Sequence, residues 1–155
     1  MKTTLVLTAV LFSLAAAGHA GAAGTETIAP SVTAAADYDA GKAAVEARDW
    51  PVAIAHLTAA VEADPTSADA ENLLGFSYRM SGDYASAQKH YWKALKLDPD
   101  HRGAREYLGE AFLELKNLQK AEEQLAALAR ICPAGCEERD DLTKAIEAFK
   151  RAQNG

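Results

Sequence analysis

Residues Ala68–His101 read ADAENLLGFSYRMSGDYASAQKHYWKALKLDPDH. Small residues stand at Gly75 and Ala87, large ones at Leu74, Tyr78 and Tyr91, a Gly82-Asp83 dipeptide interrupts the stretch, and Pro99 closes it. Displacing the stretch by 34 residues in either direction brings the same residue types into register, the mark of an internal repeat. Gly41, Gly75 and Gly109 share a column, as do Ala53, Ala87 and Ala121, and Leu57, Tyr91 and Leu125. Ala40, Leu74 and Leu108 make another, followed by Ala60, Ala94 and Leu128, and Pro65, Pro99 and Pro133 end the three units. The turn column reads Arg48-Asp49-Trp50, Gly82-Asp83-Tyr84 and Lys116-Asn117-Leu118. The chain is therefore read as repeats at 34–67, 68–101 and 102–135.

These residue types have separable physical reasons. A glycine or alanine at a crossing lets two helix backbones approach, whereas a larger side chain holds them apart. Asp49, Asp83 and Asn117 stand where they can cap free amide groups of a following helix, and Pro51 is tolerated in a first helical turn. Pro65, Pro99 and Pro133 disfavour helical backbone at Asp64, Asp98 and Cys132 and so end helices.

The pattern resembles the tetratricopeptide repeat family, whose 34-residue unit is a helix–turn–helix. Repeat two fits best, with Leu74, Gly75, Tyr78, Ala87, Tyr91, Ala94 and Pro99. Repeat one departs from it, with Asp37, Ala40 and Ala44 where large residues are usual. The resemblance implies an all-α fold, a right-handed α-solenoid of three such repeats. Beyond them, Leu142, Ile146 and Phe149 recur at helical spacing in 136–155, with Glu138, Asp141, Lys144 and Lys150 on the other faces. This segment is expected to be a capping helix, because an open stack exposes the apolar side of its last unit. Its acidic start, Glu137-Glu138-Arg139-Asp140-Asp141, suits a helix N-terminus and would repel anionic lipid.

The N-terminus asks to be set aside from fold reasoning. Lys2 precedes an uncharged, largely apolar run from Leu5 to Ala17, and small residues follow at Gly18, Ala20, Gly21 and Ala22. Residues 1–20 are read as a secretory signal peptide, cut after Ala20 or Ala22, and 21–33 as a flexible linker. The run is shorter than the roughly 20 apolar residues of a membrane span. Export into a periplasm is expected, where disulfides persist. Composition agrees with a single helical domain: alanine supplies 35 of 155 residues, and 22 acidic against 16 basic residues give a net charge of −6. That balance argues against a nucleic-acid binder.

Cys132 and Cys136 flank Pro-Ala-Gly, a turn short enough for a disulfide that would staple the cap to the last repeat. A redox-active thiol pair and half of a metal site remain the alternatives. His56 and His90 occupy one repeat position; the third repeat has Gln124 there, and both histidines are read as outer-surface residues. There is no phosphate loop, nucleophile elbow or zinc-protease motif, so no catalytic residue, cofactor or metal is expected and the chain is read as a non-enzyme.

The resemblance further implies a concave groove, lined by the first helix of each repeat, that binds a segment of a partner protein. Its positions fall on Tyr38, Lys42 and Val45, on Asn72, Phe76 and Arg79, and on Glu106, Glu110 and Leu113. Asn72 would pair with peptide backbone, Phe76 and Tyr38 would offer apolar area, and Arg79 and Lys42 would meet a carboxylate. The groove would be basic in repeats one and two and acidic in repeat three, matching a ligand of opposite asymmetry. The family's clamp for chaperone C-terminal carboxylates is not carried over, because its lysine, asparagine and arginine positions hold Tyr38, Lys42, Leu73, Gly103 and Tyr107. The reading is thus an interaction or scaffold module of the cell envelope, with a redox- or metal-responsive protein acting through Cys132 and Cys136 as the alternative.

Overall fold

The computed structural model describes residues 32–154; the segments read as signal peptide and most of the linker lie outside the described residues. Among the described residues seven helices follow one another: α1 (Val32–Glu46), α2 (Trp50–Ala63), α3 (Ala68–Met80), α4 (Tyr84–Leu97), α5 (Arg102–Glu114), α6 (Leu118–Ile131) and α7 (Glu137–Asn154). No strand occurs among the described residues. The helix α1 begins two residues inside the span read as linker.

The turn inside each repeat uses one residue twice. The backbone N–H groups of Asp49, Asp83 and Asn117 donate to Ala44, Tyr78 and Phe112 carbonyls at 2.9, 2.9 and 2.8 Å, closing the first helices. Their side chains then accept from Val52, Ser86 and Lys120 amides at 3.3, 3.0 and 3.2 Å, opening the second helices. The residue before each is left-handed: φ is 59° at Arg48, 88° at Gly82 and 58° at Lys116. Only the middle repeat spends a glycine on this conformation. Between repeats, the helices α2, α4 and α6 stop at the residue two before each proline, with Asp64, Asp98 and Cys132 as C-caps.

Packing turns these hairpins into a bent stack. The pairs α1/α2, α3/α4 and α5/α6 pack within repeats, and α2/α3 and α4/α5 between them. The helix α3 also touches α1 and α5, whereas α2, α4 and α6 do not touch one another. The first helices are therefore crowded on the concave side and the second helices splay on the convex side. One core cluster joins Ala44, Leu57, Ala60 and Leu74, and another joins Tyr91, Leu95, Leu108, Phe112, Leu128 and Ile146, with Tyr78 against both.

Glycine sets the closest approaches. A Cβ on Gly41 would stand 2.6 Å from Leu57 Cγ, and one on Gly75 would stand 2.8 Å from Tyr91 ring carbons and 3.1 Å from the Ala87 carbonyl oxygen. At Gly109 the nearest atoms belong to Leu142 of α7, at 2.6 Å, so the cap inserts a fully buried side chain into the third repeat. Gly75→Ala should cost up to about 2 kcal/mol net, an overpacking penalty of roughly 1–3 kcal/mol set against a helix-propensity gain of about 1 kcal/mol. Urea unfolding followed by circular dichroism measures it; an unchanged or higher midpoint would show that the Tyr91 ring yields without cost.

Candidate functional site

On each first helix the candidate residues are spaced by four and three positions, so each set lies on one helical face. Across the stack these faces meet in a row of aromatic rings. Trp50, at the start of α2, meets Phe76 edge-on with centroids 6.1 Å apart. Phe76 meets Tyr107 at 4.9 Å, and Tyr107 meets Tyr91 at 6.3 Å. Contacts of this kind are tilted or edge-on, as the ring quadrupoles favour.

Arg79 is not the free cation that its sequence position suggests. Its Nη2 lies 2.7 Å from Glu110 Oε2, and its guanidinium sits 5.4 and 5.6 Å from the Phe76 and Tyr107 centroids. Only 12% of the Arg79 side chain and 24% of the Glu110 side chain are exposed. A charge so far withdrawn from water needs a partner, and this one takes its partner from the next repeat. The expected division into a basic and an acidic half is thereby cancelled at the centre of the groove. Leu113 is a second correction: it is buried in the core around α5, with one edge on a hollow of about 390 Å³ shared with Arg79, Glu110 and Phe149. Val45 and Tyr38 are half-buried against the first core cluster, and burial, followed by Asp69 and Asp39, pushes the Tyr38 phenol up. Lys42 is exposed.

The third-repeat end is strongly acidic. Burial first, and then the carboxylates of Glu110, Asp141 and Glu138, push Glu106 up to about 7, with Arg79 opposing. Glu110 is also raised by burial, against the pull of Arg79. Burial, then Glu106 and Glu110, raises the Tyr107 phenol. Here α7 contributes more than a cover: Glu138 and Asp141 join Asn72, Gly103, Glu106 and Tyr107 around a hollow of about 280 Å³. Sequence reading placed those two acids on the outer faces of the cap; only the angle at which α7 meets α5 brings them to the groove.

A polar column behind the groove was also missed. Asp37 Oδ1 lies 3.0 Å from His56 Nδ1, Glu71 Oε2 lies 2.7 Å from His90 Nδ1, and Arg105 Nη1 donates to Gln124 Oε1 at 3.0 Å. Each pair spans 19 residues and ties the two helices of one repeat. His90 is not an outer-surface residue: its side chain is 14% exposed and stacks on Tyr78 at 5.4 Å. Glu71 is wholly buried, and His90 and Lys93 both meet its carboxylate. The signal was available as the column Asp37, Glu71, Arg105, whose charge reverses where histidine gives way to Gln124.

Cys132 and Cys136 have Cα atoms 6.0 Å apart, within the range that a disulfide spans. Arg139 Nη1 donates to the Cys132 and Pro133 carbonyls at 3.1 and 3.3 Å, and Gly135 takes a φ of 109° in the same turn.

A family model described as tetratricopeptide repeat matches residues 38–80 and 77–135. The DnaJ protein P58IPK homolog A of Oryza sativa subsp. japonica is 34% identical over 79 residues, which is 51% of this chain and 16% of that protein. The chain thus spans a small part of that relative's length. Among solved structures, the TPR2B domain of yeast Sti1 in its pHsp70 complex matches with a TM-score of 0.73 at 18% identity, covering 79% of this chain and 99% of that one. The second TPR domain of human RPAP3, in complex with the HSP70 peptide SGPTIEEVD, matches at 0.70 and 21% identity, covering 79% and 98%.

The raised carboxyl of Glu106 has a pH signature. Its folded form holds a proton that the unfolded chain has already released, so stability falls as pH rises from the ordinary carboxylate range through about 7. Glu106→Gln should flatten that decline in Tm between pH 5 and 8, and a variant with the wild-type slope would show that the decline originates elsewhere.

Proposed function

Because the chain belongs to the tetratricopeptide repeat family, we propose that it is a non-enzymatic interaction module of the cell envelope that holds a segment of a partner protein in its concave groove. The observation that carries this reading is the row Trp50, Phe76 and Tyr107, which lays apolar area along the inner side of the stack beside two hollows. Aromatic surface flanked by a few polar groups is what peptide recognition uses. The family's solved members supply the analogy, since the Sti1 and RPAP3 domains are seen with chaperone-derived ligands. The envelope setting rests on the apolar run from Leu5 to Ala17 and the small residues after it. Within this reading, Cys132 and Cys136 are a structural staple that holds the start of α7 against the end of α6.

Two measurements test it. Replacing Asn72 and Phe76 together with alanine should abolish crosslinking of the partner in the native envelope from a photoreactive residue at exposed position 42, while the circular dichroism melting curve retains its cooperative transition. Retained capture would show that the groove is not the binding surface. Intact mass of the protein taken from the envelope should rise by two hydrogens, about 2 Da, on reduction under denaturing conditions. A pair isolated already reduced, or holding metal, would replace the staple with the redox- or metal-responsive alternative.

A further inference from the structure

The pocket between α3, α5 and the start of α7 has a chemistry of its own. Around its 280 Å³ stand the carboxylates of Glu106, Glu137, Glu138 and Asp141, and no basic residue lines it. Two of these acids have partners that reach in from exposed positions: Arg102 lies 3.5 Å from Glu138, and Lys144 lies 2.7 Å from Asp141. Glu106, half-buried, makes no ion pair or side-chain hydrogen bond among the described residues. Beside it, Asn72 Oδ1 is buried and accepts no hydrogen bond. A buried acceptor without a donor is uncommon in folded proteins, and here Asn72 and the unpaired Glu106 line the same hollow.

We propose that this pocket receives a lysine or arginine side chain of the bound segment, so that the groove selects a basic peptide rather than the acidic kind. The inference rests on the groove reading above and adds the ligand's charge and the place where that charge goes. Complementarity favours a cation bearing several N–H donors: it meets Glu106 and the neighbouring carboxylates together while its stem lies along the Tyr107 ring. The neighbouring position already shows the arrangement working within the chain. There Arg79 lies over the Phe76 and Tyr107 rings and ion-pairs with Glu110. Arg79 fills the central place, and the pocket one repeat contact further along holds the same ring, Tyr107, with carboxylates and no cation. An acidic segment such as SGPTIEEVD, held by the human RPAP3 domain, would bring its carboxylates toward four others. The acids do not converge into a group of three that could hold a metal ion, which points to an organic cation. Bringing one to Glu106 would also draw its carboxyl back toward ionisation, opposing the burial and then the like charges that raise it.

The test is selection of binders from a random dodecapeptide display library by the purified chain, with Phe76→Ala and the double variant Glu106→Gln, Asp141→Asn alongside. Peptides that depend on Phe76 should share a lysine or arginine. Their synthetic forms should lose about tenfold or more in affinity when that residue becomes glutamine, or when the double variant is used, and should bind less tightly in added salt. Amide shifts of Asn72, Gly103 and Tyr107 in the wild-type protein should follow the same peptides, which keeps the result independent of how the variants fold. Peptides that depend on Phe76 but lack a basic residue, or are indifferent to the double variant, would overturn this inference and leave the groove standing. Failure to select any peptide that depends on Phe76 or shifts those amides would overturn both.

Discussion

Everything in this stack depends on how closely two helices come together over a missing side chain. Gly41 receives Leu57, Gly75 receives the Tyr91 ring, and Gly109 receives Leu142. The distances leave no space for even a methyl group without displacement, so each contact fixes the separation of the helices on either side. The Gly41 and Gly75 contacts join the two helices of one repeat while Gly109 meets the cap, and the separations they set place Phe76, Arg79 and Tyr107 on the face that the first helices share. The groove is thus a consequence of backbone packing, with its lining residues free to differ from those of other members of the family.

That freedom is visible in the electrostatics. Arg79 and Glu110 come from different repeats and neutralise each other between two aromatic rings. Acidic side chains gather where α5 meets α7, and some of them come from outside the repeats. A helix that closes the hydrophobic stack on one face supplies Glu138 and Asp141 on another. Burial among like charges is why Glu106 holds its proton unusually tightly.

The periodic features of the fold were legible because they are local or recur in register. Prolines one period apart marked the helix ends, the Asp/Asp/Asn column marked the caps, and Leu142 and Ile146 announced the apolar face of α7. What sequence reading missed depends on the meeting of different elements. Helical spacing puts Arg79 on the groove face, but only the neighbouring repeat shows that Glu110 is waiting for it. Helical spacing likewise identifies the surface of Leu113 without revealing that α5 and α7 enclose it. His90 looked like an outward residue because its partner, Glu71, is 19 positions away and buried by the fold itself.

The insertion of Leu142 over Gly109 also fixes the reach of the molecule. Although the chain has three repeats, four helices border its inner side, because α7 stands beyond α5 where another unit would begin. Helix axes packed about 8–10 Å apart make such a wall roughly 30 Å long, the span of an extended segment of about eight or nine residues. The same leucine that closes the core therefore acts as a ruler's end, and in the proposed binding mode a longer segment would have to leave the groove at the acidic rim of α7.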